Sequence, residues 1–135
     1  MRKAKRHIVN SVYVIIVTFM VSFFGCDGDD YFLRIENQTR DILSIHINGC
    51  INRIYKFVES DTEIDVYFAT DVSSPKTTNA SKYIDSISIF TLDDVPFLYL
   101  SGEEIDKKVI FTGRISDTSY FRFEVKEEYF GIGLD

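Results

Sequence analysis

Ser119-Tyr120-Phe121-Arg122-Phe123-Glu124-Val125-Lys126 decides the fold class. Phe121, Phe123 and Val125 fall on one phase of a period-two pattern, and Arg122, Glu124 and Lys126 on the other. Successive side chains of an extended strand point to opposite faces. The stretch is therefore a strand with one face in a core and one in water, and its pattern carries from Ser119 to Glu127.

The same alternation runs through most of the chain from Tyr31 to Phe130. Tyr31, Leu33 and Ile35 oppose Arg34 and Glu36, and Leu43, Ile45 and Ile47 oppose Ser44 and His46. Ile54 to Val58 forms a third strand, and Ile64, Val66 and Phe68 a fourth, against Glu63 and Asp65. Ser86 to Leu92, Phe97 to Leu100 and Val109 to Ile115 complete the set. Asn48-Gly49 predicts a two-residue hairpin turn, because both residue types accept positive φ. Only Gly102 to Lys108 suits a short helical turn, and the polar stretch Asp71 to Lys82 reads as a long loop with binding potential. About eight short strands with turns between them predict an all-β fold. The expected form is a single antiparallel β-sandwich, immunoglobulin-like or related, with a small β-barrel as the alternative.

The first 25 residues have a different character. Arg2, Lys3, Lys5 and Arg6 form a basic cluster ahead of the uncharged run Val12 to Phe24. That run reaches only ~20 Å as a helix, short of the ~30 Å hydrocarbon core, so a cleaved signal is favoured over an uncleaved transmembrane helix. Gly25-Cys26 closes the segment, and the stretch ending there resembles a lipobox, although Phe23 and Phe24 depart from its usual form. The resemblance implies a lipoprotein: residues 1–25 removed as signal peptide and Cys26 carrying diacylglycerol and an acyl chain such as palmitate. Two or three chains hold a protein firmly, at ~0.8 kcal/mol per buried CH₂. Residues 26–30, with Asp27, Asp29 and Asp30, are expected to be an acidic flexible tether, and residues 31–135 the folded domain. Acids behind such a Cys resemble the surface-export signal of small Bacteroidota lipoproteins, which implies the outer membrane and its outer face. In enteric bacteria an Asp directly after the Cys instead resembles an inner-membrane retention signal.

Without residues 1–25 the chain keeps all 21 acids and loses four of its 15 basic residues, leaving a net charge of −10. Such a surface disfavours nucleic acid and anionic lipid. The full chain has twelve Phe and eight Tyr, with no Trp. Cys50 would be the second cysteine, expected buried as a small hydrophobe, with an intermolecular bridge as the alternative.

No catalytic or metal signature stands out. His46 lies on the polar phase of its strand beside Ser44, without an elbow motif, and one His with one Cys makes zinc improbable. The acidic stretches Asp27-Gly28-Asp29-Asp30 and Asp93-Asp94 lack calcium-loop spacing and read as solvated turns. Asn37-Gln38-Thr39 fits the N-glycosylation pattern, and Asp85-Ser86-Ile87 resembles the Bacteroidota O-glycosylation tripeptide, with Ser86 as acceptor. No cofactor is expected. The expected function is a non-enzymatic, lipid-anchored binding or accessory module of the envelope, with a glycan or protein ligand. Tyr55, Tyr67, Tyr99 and Tyr120 are candidates for stacking on sugars, with core or rim packing as their alternative use. Two alternatives are an acidic inhibitor or immunity protein against a cationic hydrolase, and a structural subunit of a surface assembly. In the latter, the apolar Tyr129 to Asp135 would be donated to a neighbour.

Overall fold

A computed structural model describes residues 28–49, 52–71 and 77–134. Within them the chain forms eight strands: β1 Asp29–Asn37, β2 Leu43–Gly49, β3 Arg53–Val58, β4 Thr62–Asp71, β5 Ile84–Thr91, β6 Pro96–Ser101, β7 Val109–Ile115 and β8 Thr118–Val125. One short helix, α1 (Glu103–Lys108), joins β6 to β7, where the sequence allowed a helical turn.

The strands form two four-stranded sheets, in the orders β4-β1-β8-β7 and β3-β2-β5-β6. They do not close into a barrel, so the sandwich holds. Its strand order is not the immunoglobulin one, in which the first two strands share a sheet; here β1 and β2 lie in opposite sheets. All pairings are antiparallel except β1–β8, which runs parallel from Asp30↔Thr118 to Asn37↔Val125. Alternation alone does not reveal that exception.

The core fills the gap between the sheets with the residues of the apolar phase. Tyr31, Leu33 and Ile35 of β1 and Phe121, Phe123 and Val125 of β8 face Leu43, Ile45 and Ile47 of β2 and Ile87 and Ile89 of β5. Ile105 of α1 is fully buried and plugs the side where the chain crosses between sheets. At ~1.5–3 kcal/mol for each large apolar side chain, this burial drives the fold. The long segment before β5 is anchored to α1 at its far end, where Asp106 accepts hydrogen bonds from the Ser81 amide (2.9 Å) and hydroxyl (2.5 Å).

Three local expectations are corrected. Asn48-Gly49 does not form the hairpin turn: both residues belong to β2, and the chain reverses after them, with the Gly49 amide donating to the Asn52 carbonyl at 2.8 Å. Gly49 serves close approach instead, since a Cβ there would sit 2.9 Å from the Tyr83 carbonyl oxygen. Asp29 and Asp30 are not part of a loose tether but open β1. Asp29 is 4% exposed, and Arg114 Nη2 lies 2.8 Å from its carboxylate. Asn37 of the N-glycosylation pattern is not an exposed acceptor either. It is 1% exposed and ties the β1–β2 and β3–β4 connections together.

The C-terminal residues cover the free edge of β6. Gly131 donates to the Phe97 carbonyl and the Tyr99 amide donates to Ile132, both at 2.8 Å. Phe130 packs edge-on against buried Phe97, with ring centroids 5.6 Å apart. The segment considered as a donor to a neighbour thus packs on its own domain.

Candidate functional site

The outer faces of the two sheets carry the exposed chemistry. All four tyrosines singled out from the sequence are solvent-exposed rather than core residues: Tyr55, Tyr67, Tyr99 and Tyr120. The fold sorts them into pairs, with Tyr67 and Tyr120 on the β4-β1-β8-β7 sheet and Tyr55 and Tyr99 on the other.

On the first sheet, Phe32 completes a row that the sequence reading missed. Phe32 of β1 is register partner to both Tyr67 of β4 and Tyr120 of β8, so three rings line up across three strands. Phe32 stacks on Tyr120, with centroids 6.2 Å apart and planes 24° apart, and tilts against Tyr67 at 5.6 Å. Tyr67's hydroxyl hydrogen-bonds Thr70. Two strand spacings of ~4.8 Å make the row about 10 Å long. Gly113 of β7 is the register partner of Tyr120 on its other side and places no side chain over the ring, so Tyr120 stays open. The irregularity between Phe111 and Gly113 leaves Thr112 outside the pairing, its hydroxyl donating to the Tyr120 carbonyl at 3.1 Å.

One row further along β1 stand the charged groups. Arg34 donates to Asp65 through Nε (3.0 Å) and Nη2 (3.3 Å), a two-point contact between planar groups. Arg122 donates to Glu36 at 2.7 Å and also lies 2.9 Å from Glu124. The hydrogen bond from Arg122 holds the Glu36 carboxyl below its ordinary range, and Asp65 and Glu36 in turn raise Arg34 and Arg122. Each of these paired side chains retains donors or lone pairs for a ligand. Tyr120, at the β8 end of the ring row, and the charged row border a groove of about 560 Å³, lined among others by Arg34, Asp65, Thr112, Arg114, Ile115 and Arg122.

The opposite sheet is more apolar at its edge. Tyr55 and Phe57 of β3 are 60% and 69% exposed. His46 packs between Tyr55 (4.7 Å, edge-on) and Phe90 (5.1 Å), and its Nε2 lies 2.9 Å from Ser44 Oγ. The structure thus joins the two residues that the sequence placed side by side. A Ser–His pair becomes a nucleophile and base when a third group orients the ring. Among the described residues no carboxylate bonds this imidazole, and the pair stands on an open sheet face.

The remaining candidates are placed as follows. Cys26 and Cys50 lie outside the described residues. Ser86, the candidate glycan acceptor, is 7% exposed within β5, and its hydroxyl accepts from Asn48 Nδ2 at 3.0 Å. Attachment there is disfavoured in the folded domain, because the oxygen is covered and engaged. Asn37 is likewise buried, and its Nδ2, the atom a glycan would join, donates to the Asp41 (2.8 Å) and Val58 (2.9 Å) carbonyls, which disfavours attachment in the folded domain. Asp93 and Asp94 are exposed in the β5–β6 turn. Among the described residues no group of three or more His, Cys, Asp or Glu is gathered to hold a metal ion. No described helix is long and apolar enough to cross a membrane. Compared with known proteins, the chain matches no family model, no curated protein and no solved structure.

Proposed function

We propose that this chain is a lipid-tethered, non-enzymatic glycan-binding module of the bacterial cell envelope, with the outer face of the β4-β1-β8-β7 sheet as its platform. The observation that carries the reading is the Tyr67–Phe32–Tyr120 row beside the Arg34–Asp65 and Arg122–Glu36 pairs. Aromatic rings stack against the C–H faces of sugar rings, where a flat apolar surface meets a flat apolar surface. Guanidinium and carboxylate groups held in plane exchange hydrogen bonds with hydroxyls at the rim. A sheet face holds such groups in place before the ligand arrives, which limits the ordering cost of binding. The length of the row suits a short saccharide stretch lying across the strands. The tether is the acylated Cys26, supported by the basic and apolar segment before it and by Gly25 at the cut.

Affinity electrophoresis through gels containing envelope polysaccharides tests this. The wild-type domain should be retarded by at least one polymer. The Phe32→Ala/Tyr120→Ala variant should lose that retardation, with Kd raised by roughly tenfold or more, as expected for aromatic anchors worth ~1.4 kcal/mol and upward. Unchanged retardation of the double variant would refute the platform, and no retardation by any polymer would refute the ligand class.

A further inference from the structure

We infer that the domain stands end-on against the bilayer, with the β7–β8 turn and Ile115 in contact with lipid. The inference rests on the acylation of Cys26 proposed above. Only Asp27 and Gly28 separate Cys26 from the first residue of β1, so the acylated residue lies within ~11 Å of Asp29. Asp29 is not free to swing away, because its carboxylate is buried and paired with Arg114 of β7. The Asp30 amide donates to the Asp117 carbonyl at 2.9 Å, which fastens the β7–β8 turn to the start of the same strand. Ile115, register partner of Thr118, closes β7 at that end and is 70% exposed. A large apolar side chain is thus held on a rigid turn beside the point from which the acyl chains depart.

The contact is apolar in character. Among the described residues at this end, Arg114 and Lys82 are engaged by Asp29 and Asp71. The far end of the sandwich is marked by Asn37, Val58 and the β5–β6 turn, where Leu92 is 59% exposed. Nine residues of β1 separate the two ends by about 27 Å. The same geometry keeps Phe32 within ~20 Å of the bilayer surface, where saccharide carried on lipid is in reach.

The chain has no Trp, so a single introduced one reports alone. The test uses acylated full-length protein, expressed as Ile115→Trp or Leu92→Trp and reconstituted into phosphatidylcholine vesicles with brominated acyl chains. Fluorescence of the Ile115→Trp variant should be strongly quenched, and that of the Leu92→Trp variant unaffected. Adding phosphatidylglycerol should leave that contrast unchanged. Inserting a flexible Gly/Ser stretch of about 12 residues (~20 Å) before Asp29 should abolish the quenching while acylation persists. Acylated protein with equal or absent quenching at both positions overturns the end-on geometry alone, as does quenching that survives the insertion or needs phosphatidylglycerol. An intact mass without acyl groups removes the tether itself, and the inference with it.

Discussion

Replacing Asn37 by alanine should cost the domain about 2–5 kcal/mol. Its Nδ2 donates to the carbonyls of Asp41 (2.8 Å) and Val58 (2.9 Å) and approaches that of Glu59 (3.2 Å). Its Oδ1 accepts from the Thr39 amide (3.0 Å) and hydroxyl (2.6 Å). One side chain thereby staples the β1–β2 connection to the end of β3. Truncation leaves the Thr39 amide without a partner in a buried place, worth ~1–3 kcal/mol, and removes one hydrogen bond from each of the Val58 and Asp41 carbonyls, worth ~0.5–1.5 kcal/mol apiece. The Thr39 hydroxyl retains the Asp41 carbonyl at 3.2 Å, so it adds little to the loss. At ~4–5 °C per kcal/mol for a domain of this size, Tm falls by roughly 10–25 °C. Urea unfolding followed by tyrosine fluorescence measures this, with an unchanged slope required for a clean comparison. Arg40→Ala, on an exposed neighbour in the same connection, is the control and should stay within ~0.5 kcal/mol. A cost below ~1 kcal/mol for Asn37→Ala would show that water replaces these bonds, and that the residue is not the staple described.

Gly133 has φ +75°, and a Cβ there would lie 2.0 Å from the Tyr99 carbonyl, so Gly133→Ala should lift the C-terminal segment from β6. Concentration-dependent oligomers by light scattering would report the bared edge. Glu36 titrates below its ordinary 4.5 because Arg122 bonds the ionised form, so its stabilisation is present above about 4.5 and is lost as pH falls through the lower folded value. Arg122→Ala should move the Glu36 carboxyl back toward 4.5 in an NMR titration and remove that acid-side component. Cys26→Ser should abolish labelled-palmitate incorporation and release the protein from the membrane fraction. Retention with residues 1–25 intact would point to an integral helix.

The strands were legible because each buries one face, and period-two alternation is the direct trace of that burial in Tyr31–Glu36, Leu43–Ile47 and Ser119–Lys126. What was illegible depended on residues distant in sequence. Asp29 and Asp30 read as solvated acids because the arginine that holds Asp29 lies 85 positions away, across the β7–β8 hairpin. Gly49 read as a turn former because its actual neighbour, the Tyr83 carbonyl, belongs to the approach to β5. The aromatic row left a signal that went unused. Phe32, Tyr67 and Tyr120 each put a ring on the wet phase of a strand, where the pattern calls for polar residues. Only the order β4-β1-β8 brings the three together, and the parallel β1–β8 pair that does so is set by tertiary packing.

The most direct measurement is a saccharide titration of the isotopically labelled domain, followed by amide and ring resonances. The account predicts that perturbations concentrate on Phe32, Tyr67, Tyr120 and the flanking Arg34 and Arg122, while Tyr55, Phe57 and Tyr99 on the opposite sheet stay still. Perturbations centred on that opposite sheet, or no response from the ring row to any saccharide, would contradict it.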